Sequence, residues 1–138
     1  MPQAKINPWK WQDQYGFSQA IEVSGASRLL FCAGQIALDA DGKVKCAGDM
    51  HGQIEAAMNN VEAVLAAAGL SLAHVVRLNY YTTDVDGLVT HYDVIKSRLA
   101  AAGCQPSSTL LGVKQLAFPE LLIEIEATAA EEQRGTPQ

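Results

Sequence analysis

The chain has 138 residues, 49% hydrophobic and 18% charged, with a formal net charge of −5. That length suits one domain with a real core, and the composition excludes a disordered chain. Ten scattered basic residues against fifteen acidic ones argue against a nucleic-acid partner, because phosphate binding needs clustered Lys and Arg.

No apolar run approaches the ~18–20 residues of a membrane span. The start, Met1-Pro-Gln-Ala-Lys-Ile-Asn-Pro8, lacks the apolar core of a signal peptide. Cys32, Cys46 and Cys104 are an odd number at no metal-like spacing, and read as free thiols of a reducing cytoplasm.

Residues 1–14, with Pro2, Pro8, Trp9 and Trp11, predict a loop that docks an aromatic ring. Phe17 to Val23 alternates as a first strand, and Ser24–Ser27 reads as a turn. Arg28 to Ile36, apolar on both faces, predicts a central second strand. The turn Asp39-Ala-Asp-Gly42 leads to a short third strand near 43–47. Asp49 is a candidate N-cap for a helix to about Ala68, with Ile54, Ala57, Met58, Val61, Val64, Leu65 and Ala68 on one stripe and Gly69 as its stop. Gln53 and Asn60 lie on one edge of that stripe, either bonding backbone at the helix–sheet seam or serving a site.

Val75 to Thr83 is rich in β-branched and aromatic residues and predicts a fourth strand. Asp84 or Asp86 caps a second helix over about 87–102, with a stripe of Leu88, Tyr92, Ile95, Leu99 and Ala102. Two strands follow, joined by a turn at Ala117-Phe-Pro-Glu120. The last one alternates, with Leu121, Ile123, Ile125 and Ala127 against Leu122, Glu124, Glu126 and Thr128. Residues 131–138 read as a frayed polar tail. The expected order is β-β-β-α-β-α-β-β in one domain spanning 1–138. Two helices cover only one face of such a sheet, so a second copy of the chain is the expected cover for the other.

No glycine-rich phosphate loop, Cys-x-x-Cys pair or nucleophile elbow is present. His51, His74 and His91 have no ligand-spaced partners, so they read as surface or helix-terminus residues and not as metal ligands.

Several segments together resemble the RidA/YjgF family of reactive-intermediate deaminases. They are Tyr15-Gly-Phe-Ser-Gln-Ala20, Cys32-Ala-Gly-Gln-Ile36, Gln53 and Asn60, Ala67-Ala-Gly69, Val75-Val-Arg77, Tyr81-Thr-Thr-Asp84 and Leu116 to Ala129 with its Ile123-Glu-Ile-Glu-Ala127. The resemblance implies a chorismate-mutase-like α/β (α+β) fold, a mixed sheet with two helices on one face. It also implies a homotrimer with a small-molecule ligand in clefts between subunits, and hydrolysis of enamines or imines without metal or cofactor. In relatives a last-strand glutamate activates or positions water, and an arginine clamps the substrate carboxylate.

By that resemblance Glu124 is the catalytic glutamate, and Ala33-Gly34-Gln35 stands where the family has Ser-Gly-Gln. Phe17 corresponds to an N-terminal tyrosine, Tyr92 falls near an asparagine, and Leu110 takes the place of a cysteine. Ser108 occupies the arginine position, with Thr109 beside it. Neither supplies the charge of a bidentate guanidinium, so the chain resembles the branch lacking that arginine, and the standard 2-imino acids are not its expected substrate. Arg77 or Lys114 of a neighbouring subunit are candidate replacements. Three readings compete: a hydrolase (deaminase) of a small C=N metabolite, a non-catalytic metabolite- or protein-binding module, and an endoribonuclease, which the acidic charge disfavours.

Overall fold

Asp49 begins the longest helix by accepting a hydrogen bond from Gly52 N at 3.1 Å. That helix, α1 (Met50–Ala67), buries Ile54, Ala57, Met58, Val61 and Leu65 against a sheet. A computed structural model describes residues 3–132. The strands are β1 (Gln3–Ile6), β2 (Ala20–Val23), β3 (Ala26–Phe31), β4 (Val75–Thr82), β5 (Ser107–Gly112) and β6 (Ile123–Glu132), and the other helices are α2 (Val85–Thr90) and α3 (Asp93–Ala101). β3, β6, β4 and β5 form one mixed sheet in that spatial order, parallel only between β4 and β5, while β1 and β2 pair as a separate antiparallel ribbon.

The core lies between this sheet and α1, α2 and α3, where Leu78, Tyr80, Ile123, Ile125 and Ala127 meet Ile54, Leu65, Leu88, Ile95 and Leu99. The mixed sheet with helices on one face is the expected fold. Among the described residues nothing covers the opposite face. Phe31 is 75% exposed there and Leu29 56%, beside exposed Leu111.

Several expectations are corrected. Part of 1–14 is ordered as β1 and as a 3-10 turn over Trp11–Tyr15, because the backbone of β1 pairs with β2. The first strand is shorter than 17–23 and the second stops at Phe31. That second strand is an edge, not a centre: β6 flanks it on one side only, and its outward apolar residues face the uncovered side. The third strand near 43–47 reduces to a single bridge between Leu38 and Val44. Asp39 Oδ1 accepts from Asp41 N and Lys43 N, and Cys46 takes φ +57°, so the segment is bent at both ends.

The helix expected over 87–102 is two, broken at His91 and Tyr92. Thr90 Oγ1 donates to Asp86 O at 2.8 Å and His91 Nδ1 lies 2.9 Å from Gly87 O. These side chains compete with the backbone ladder where it ends. The last two strands are not neighbours, since β4 lies between β5 and β6. Their connection crosses the sheet, pinned by Leu121 in a small cluster with Ala37 and Ala56. β6 runs through Glu132, into the stretch read as a tail, whose residues 133–138 lie outside the described part.

Candidate functional site

β6 buries Ile123, Ile125 and Ala127 and leaves Glu124, Glu126 and Thr128 half-buried on the open face. The two carboxylates differ in their partners. Glu126 accepts from Asn79 Nδ2 at 3.0 Å and Tyr81 Oη at 2.9 Å, and these bonds hold its carboxyl below the ordinary carboxylate range. The Glu124 side chain makes no hydrogen bond or ion pair with any described residue.

Gly34 lies directly over Glu124. A Cβ at position 34 would stand 2.7 Å from the carboxyl carbon and 2.8 Å from Cγ, closer than atoms pack, so a side chain there would make the Glu124 side chain move. The strand is bulged there. Cys32 N donates to Ala127 O and Gln35 pairs with Ile125, so Ala33 and Gly34 together face the single residue Glu126.

Gln53 and Asn60 hold the loops around this corner. Gln53 is fully buried, donates to Cys46 O and Glu120 O, and accepts from Leu122 N at 2.7 Å. Asn60 donates to Ile36 O and Leu38 O. Both bond backbone at the seam, which leaves them to position the chain on either side of Gly34 and Glu124.

On the helix side a cavity of about 460 Å³ opens beside β5. Phe17, Tyr92, Ser108 and Leu110 line it, together with Gln14, Tyr15, Tyr80, Val89, Asp93 and Lys96. Ser18 ties the Phe17 segment to β5: its N–H donates to Pro106 O at 3.0 Å and its hydroxyl to Gln105 O. Trp11 meets Phe17 edge to face at 5.8 Å, the aromatic docking expected of the N-terminal segment.

Four of the expected site residues therefore converge, and three stand elsewhere. Thr109 faces the open side, where Arg77 Nη2 donates to its hydroxyl at 2.8 Å. Glu124 and Gly34 also lie on that side. Strand alternation is the cause: Ser108 and Leu110 pair with Leu78 and Tyr80, which face the helices, while Glu124 pairs with Tyr81, which faces away. The apolar wall of Phe17, Tyr92 and Leu110 is thus not beside Glu124 within one chain. Arg77 acts on Glu126, where its charge favours the carboxylate. Lys114 is exposed on the loop after β5.

Lys96 was missed in the sequence, although a signal existed. It follows Tyr92 by four residues, and so shares its face of a helix. Sequence distance also hid a pairing of histidines: His51 and His91 stack at 5.9 Å. Among the described residues no group of three or more His, Cys, Asp or Glu could hold a metal ion, and no helix is long and apolar enough to cross a membrane.

Residues 12–131 match the family described as Endoribonuclease L-PSP. A RutC family protein of Pyrococcus horikoshii is 33% identical over 116 residues, covering 84% of this chain and 87% of its own length. Protein DfrA of Myxococcus xanthus is 44% identical over 69 residues, 50% of this chain, and the match spans only about half (52%) of that relative. The mitochondrial protein mmf2 of Schizosaccharomyces pombe is 31% identical over 131 residues, 95% of this chain and 100% of its own. Among solved structures, a Rid family protein of unknown function, YyfB from Yersinia pestis, superposes with TM-score 0.83 at 36% identity, covering 94% of this chain and 99% of that one.

Proposed function

The chain belongs to the endoribonuclease L-PSP family, alongside the RutC and Rid proteins, and on that footing we propose that it is a cofactor-free hydrolase of a small enamine, imine or related C=N metabolite. The family name is a label; with ten basic residues scattered among fifteen acidic ones, the chain has no phosphate-binding cluster. The reaction takes place in clefts between copies of the chain, and its home is the cytoplasm. The sheet face bearing exposed Phe31, Leu29 and Leu111 is the surface on which copies meet, in a homotrimer.

One observation carries this reading. The expected site residues divide between two faces of the sheet, with the unpaired Glu124 under Gly34 on one and the cavity of Phe17, Tyr92, Ser108 and Leu110 on the other. Within one chain they cannot act on one molecule. A cleft formed by the Glu124 face of one copy and the cavity mouth of the next unites them. There Glu124 takes a proton from water as it adds to the C=N carbon, and the nitrogen gains that proton. The hydroxyl of the resulting carbinolamine then passes its proton by way of Glu124 to the nitrogen as the C–N bond breaks, leaving a carbonyl product and ammonia.

The test is ammonia release from a panel of enamines and imines generated in solution, comparing wild type with Glu124→Gln. Loss of turnover with an unchanged melting curve supports the mechanism, and equal turnover sinks it. Compounds that stabilise the wild type but are never consumed would replace hydrolysis with binding alone, a reading favoured by Ser108 standing where relatives carry a charge.

A further inference from the structure

Unmet acceptors gather on the open face of the sheet around Glu124. Glu124 and Glu126 stand two residues apart on one side of β6, roughly 6–7 Å at the rise of a strand. The Glu124 side chain has no polar partner among the described residues. Glu126 takes both of its hydrogen bonds, from Asn79 Nδ2 at 3.0 Å and from Tyr81 Oη at 2.9 Å, on Oε1. Its other oxygen accepts from no described residue. Asn79 Oδ1, beside it, is buried and has no hydrogen-bond partner.

The cations near this face do not offset Glu124. Arg77 donates to Thr109 on β5 at 2.8 Å. It lies four residues along β4 from Tyr81, the residue across from Glu124, which is roughly 13 Å at the rise of a strand. Across the proposed cleft the next copy brings Lys96 and Asp93, one charge of each sign, and Ser108, which has none. The charge left over belongs to Glu124 and Glu126. A carboxylate with a free oxygen bonds a charged N–H donor strongly, and a ligand bearing its own carboxylate meets like charge there. The rings of Tyr81 on this face and of Phe17 and Tyr92 across the cleft suit a planar nitrogen cation as well.

We propose that the Glu124 face selects a small planar nitrogen cation, the protonated form of a C=N compound without a carboxylate, and that Glu126 is the specificity-determining residue that favours its charge. This rests on the reading above that Glu124 acts on the ligand in a cleft between copies. Asn79 and Tyr81 hold Glu126 in place, so its negative charge is fixed before the ligand arrives. With such a substrate the nitrogen carries its proton before water adds instead of gaining it afterwards. The one extra proton leaves with the product, as ammonium.

The experiment is calorimetric titration of the full chain with benzamidinium, benzamide and benzoate, at low and high salt. The three share one planar body and differ in charge. The expected order is benzamidinium about tenfold or more tighter than benzamide, the usual worth of a charged hydrogen bond, with benzoate weakest. That preference for the cation weakens with salt, falls severalfold in Glu126→Gln and persists in Glu126→Asp, each variant first checked for an intact melting transition. Benzamidinium should also raise the KM for ammonia release while leaving kcat unchanged. Equal binding of benzamidinium and benzamide, tighter binding of benzoate, or an undiminished preference in Glu126→Gln overturns the proposal. Where Glu126→Gln does not fold, the order of the three probes on wild type decides. Ammonia release that depends on Glu124 but comes with no cation preference leaves the hydrolase standing and removes only this inference. A cation preference with no ammonia released from any imine or enamine removes the hydrolase and leaves the cation site.

Discussion

The Glu124 carboxylate lies against the backbone of Gly34 so closely that a Cβ there would overlap it. The φ of Gly34 is not in the left-handed region, so what opposes a side chain there is this close approach and not backbone strain. Gly34→Ala must push the Glu124 side chain away or open the bulge. The expected cost is about 1–3 kcal/mol of stability, with turnover lost as fully as in Glu124→Gln. Urea unfolding and ammonia release measured on the same preparation check both parts.

Glu126 should tie stability to pH. Glu126 is held ionised first by Asn79, then by Tyr81. A carboxyl whose folded pKa lies below its unfolded one adds stability above the unfolded value, ordinarily 4.5, and that stability is lost as pH falls through the lowered folded value. Wild type should therefore lose more stability than Glu126→Gln on acidification from pH near 7 to below the ordinary carboxylate range. Denaturant midpoints at a series of pH values measure the difference; parallel curves would show that these hydrogen bonds contribute nothing to the pH dependence.

Gln53 satisfies three backbone groups with one fully buried side chain. Gln53→Leu keeps the volume and strands Cys46 O, Glu120 O and Leu122 N. A loss of at least about 2 kcal/mol is expected, since each orphaned buried group costs roughly 1–3 kcal/mol. Because these groups border the entry to β6, hydrogen exchange should rise first at Leu122 and its neighbours. Wild-type exchange there would refute a positioning role.

The three thiols should separate by reactivity. Cys104 is buried and its thiol is pushed up to about 11, and burial raises Cys32 as well, whereas Cys46 is exposed. Alkylation of the folded chain at mildly alkaline pH should therefore modify Cys46 alone, because the thiolate is the reactive form. Mass spectrometry should find one adduct before denaturation and three after it.

The uncovered sheet face makes a prediction about assembly. Phe31→Glu places a charge at the most exposed apolar position of that face without touching the core. Sedimentation of wild type as a trimer and of the variant as a monomer is the expected pair of results. A variant that stays associated would move the interface elsewhere.

Much of this protein is legible in local pattern. Period-3.6 spacing marks α1 and its cap at Asp49, and period-2 spacing separates Glu124 from Ile123 and Ile125, because side-chain direction along one helix or strand follows from neighbouring residues alone. The ordered segments from Tyr15 to Ala129 carry the family. Pairing between distant strands is not written in any one of them. That β4 lies between β5 and β6, that β3 is an edge, and that Ser108 faces the helices while Glu124 faces away depend on which strands meet and in what register. Only the tertiary structure decides those, since a shift of one residue would send every side chain of a strand to the other face. The same holds for Gly34, whose close neighbour is a carboxylate ninety residues away along the chain. It holds too for Lys96, an ordinary helix lysine in sequence until β5 and the Phe17 segment close a cavity around it.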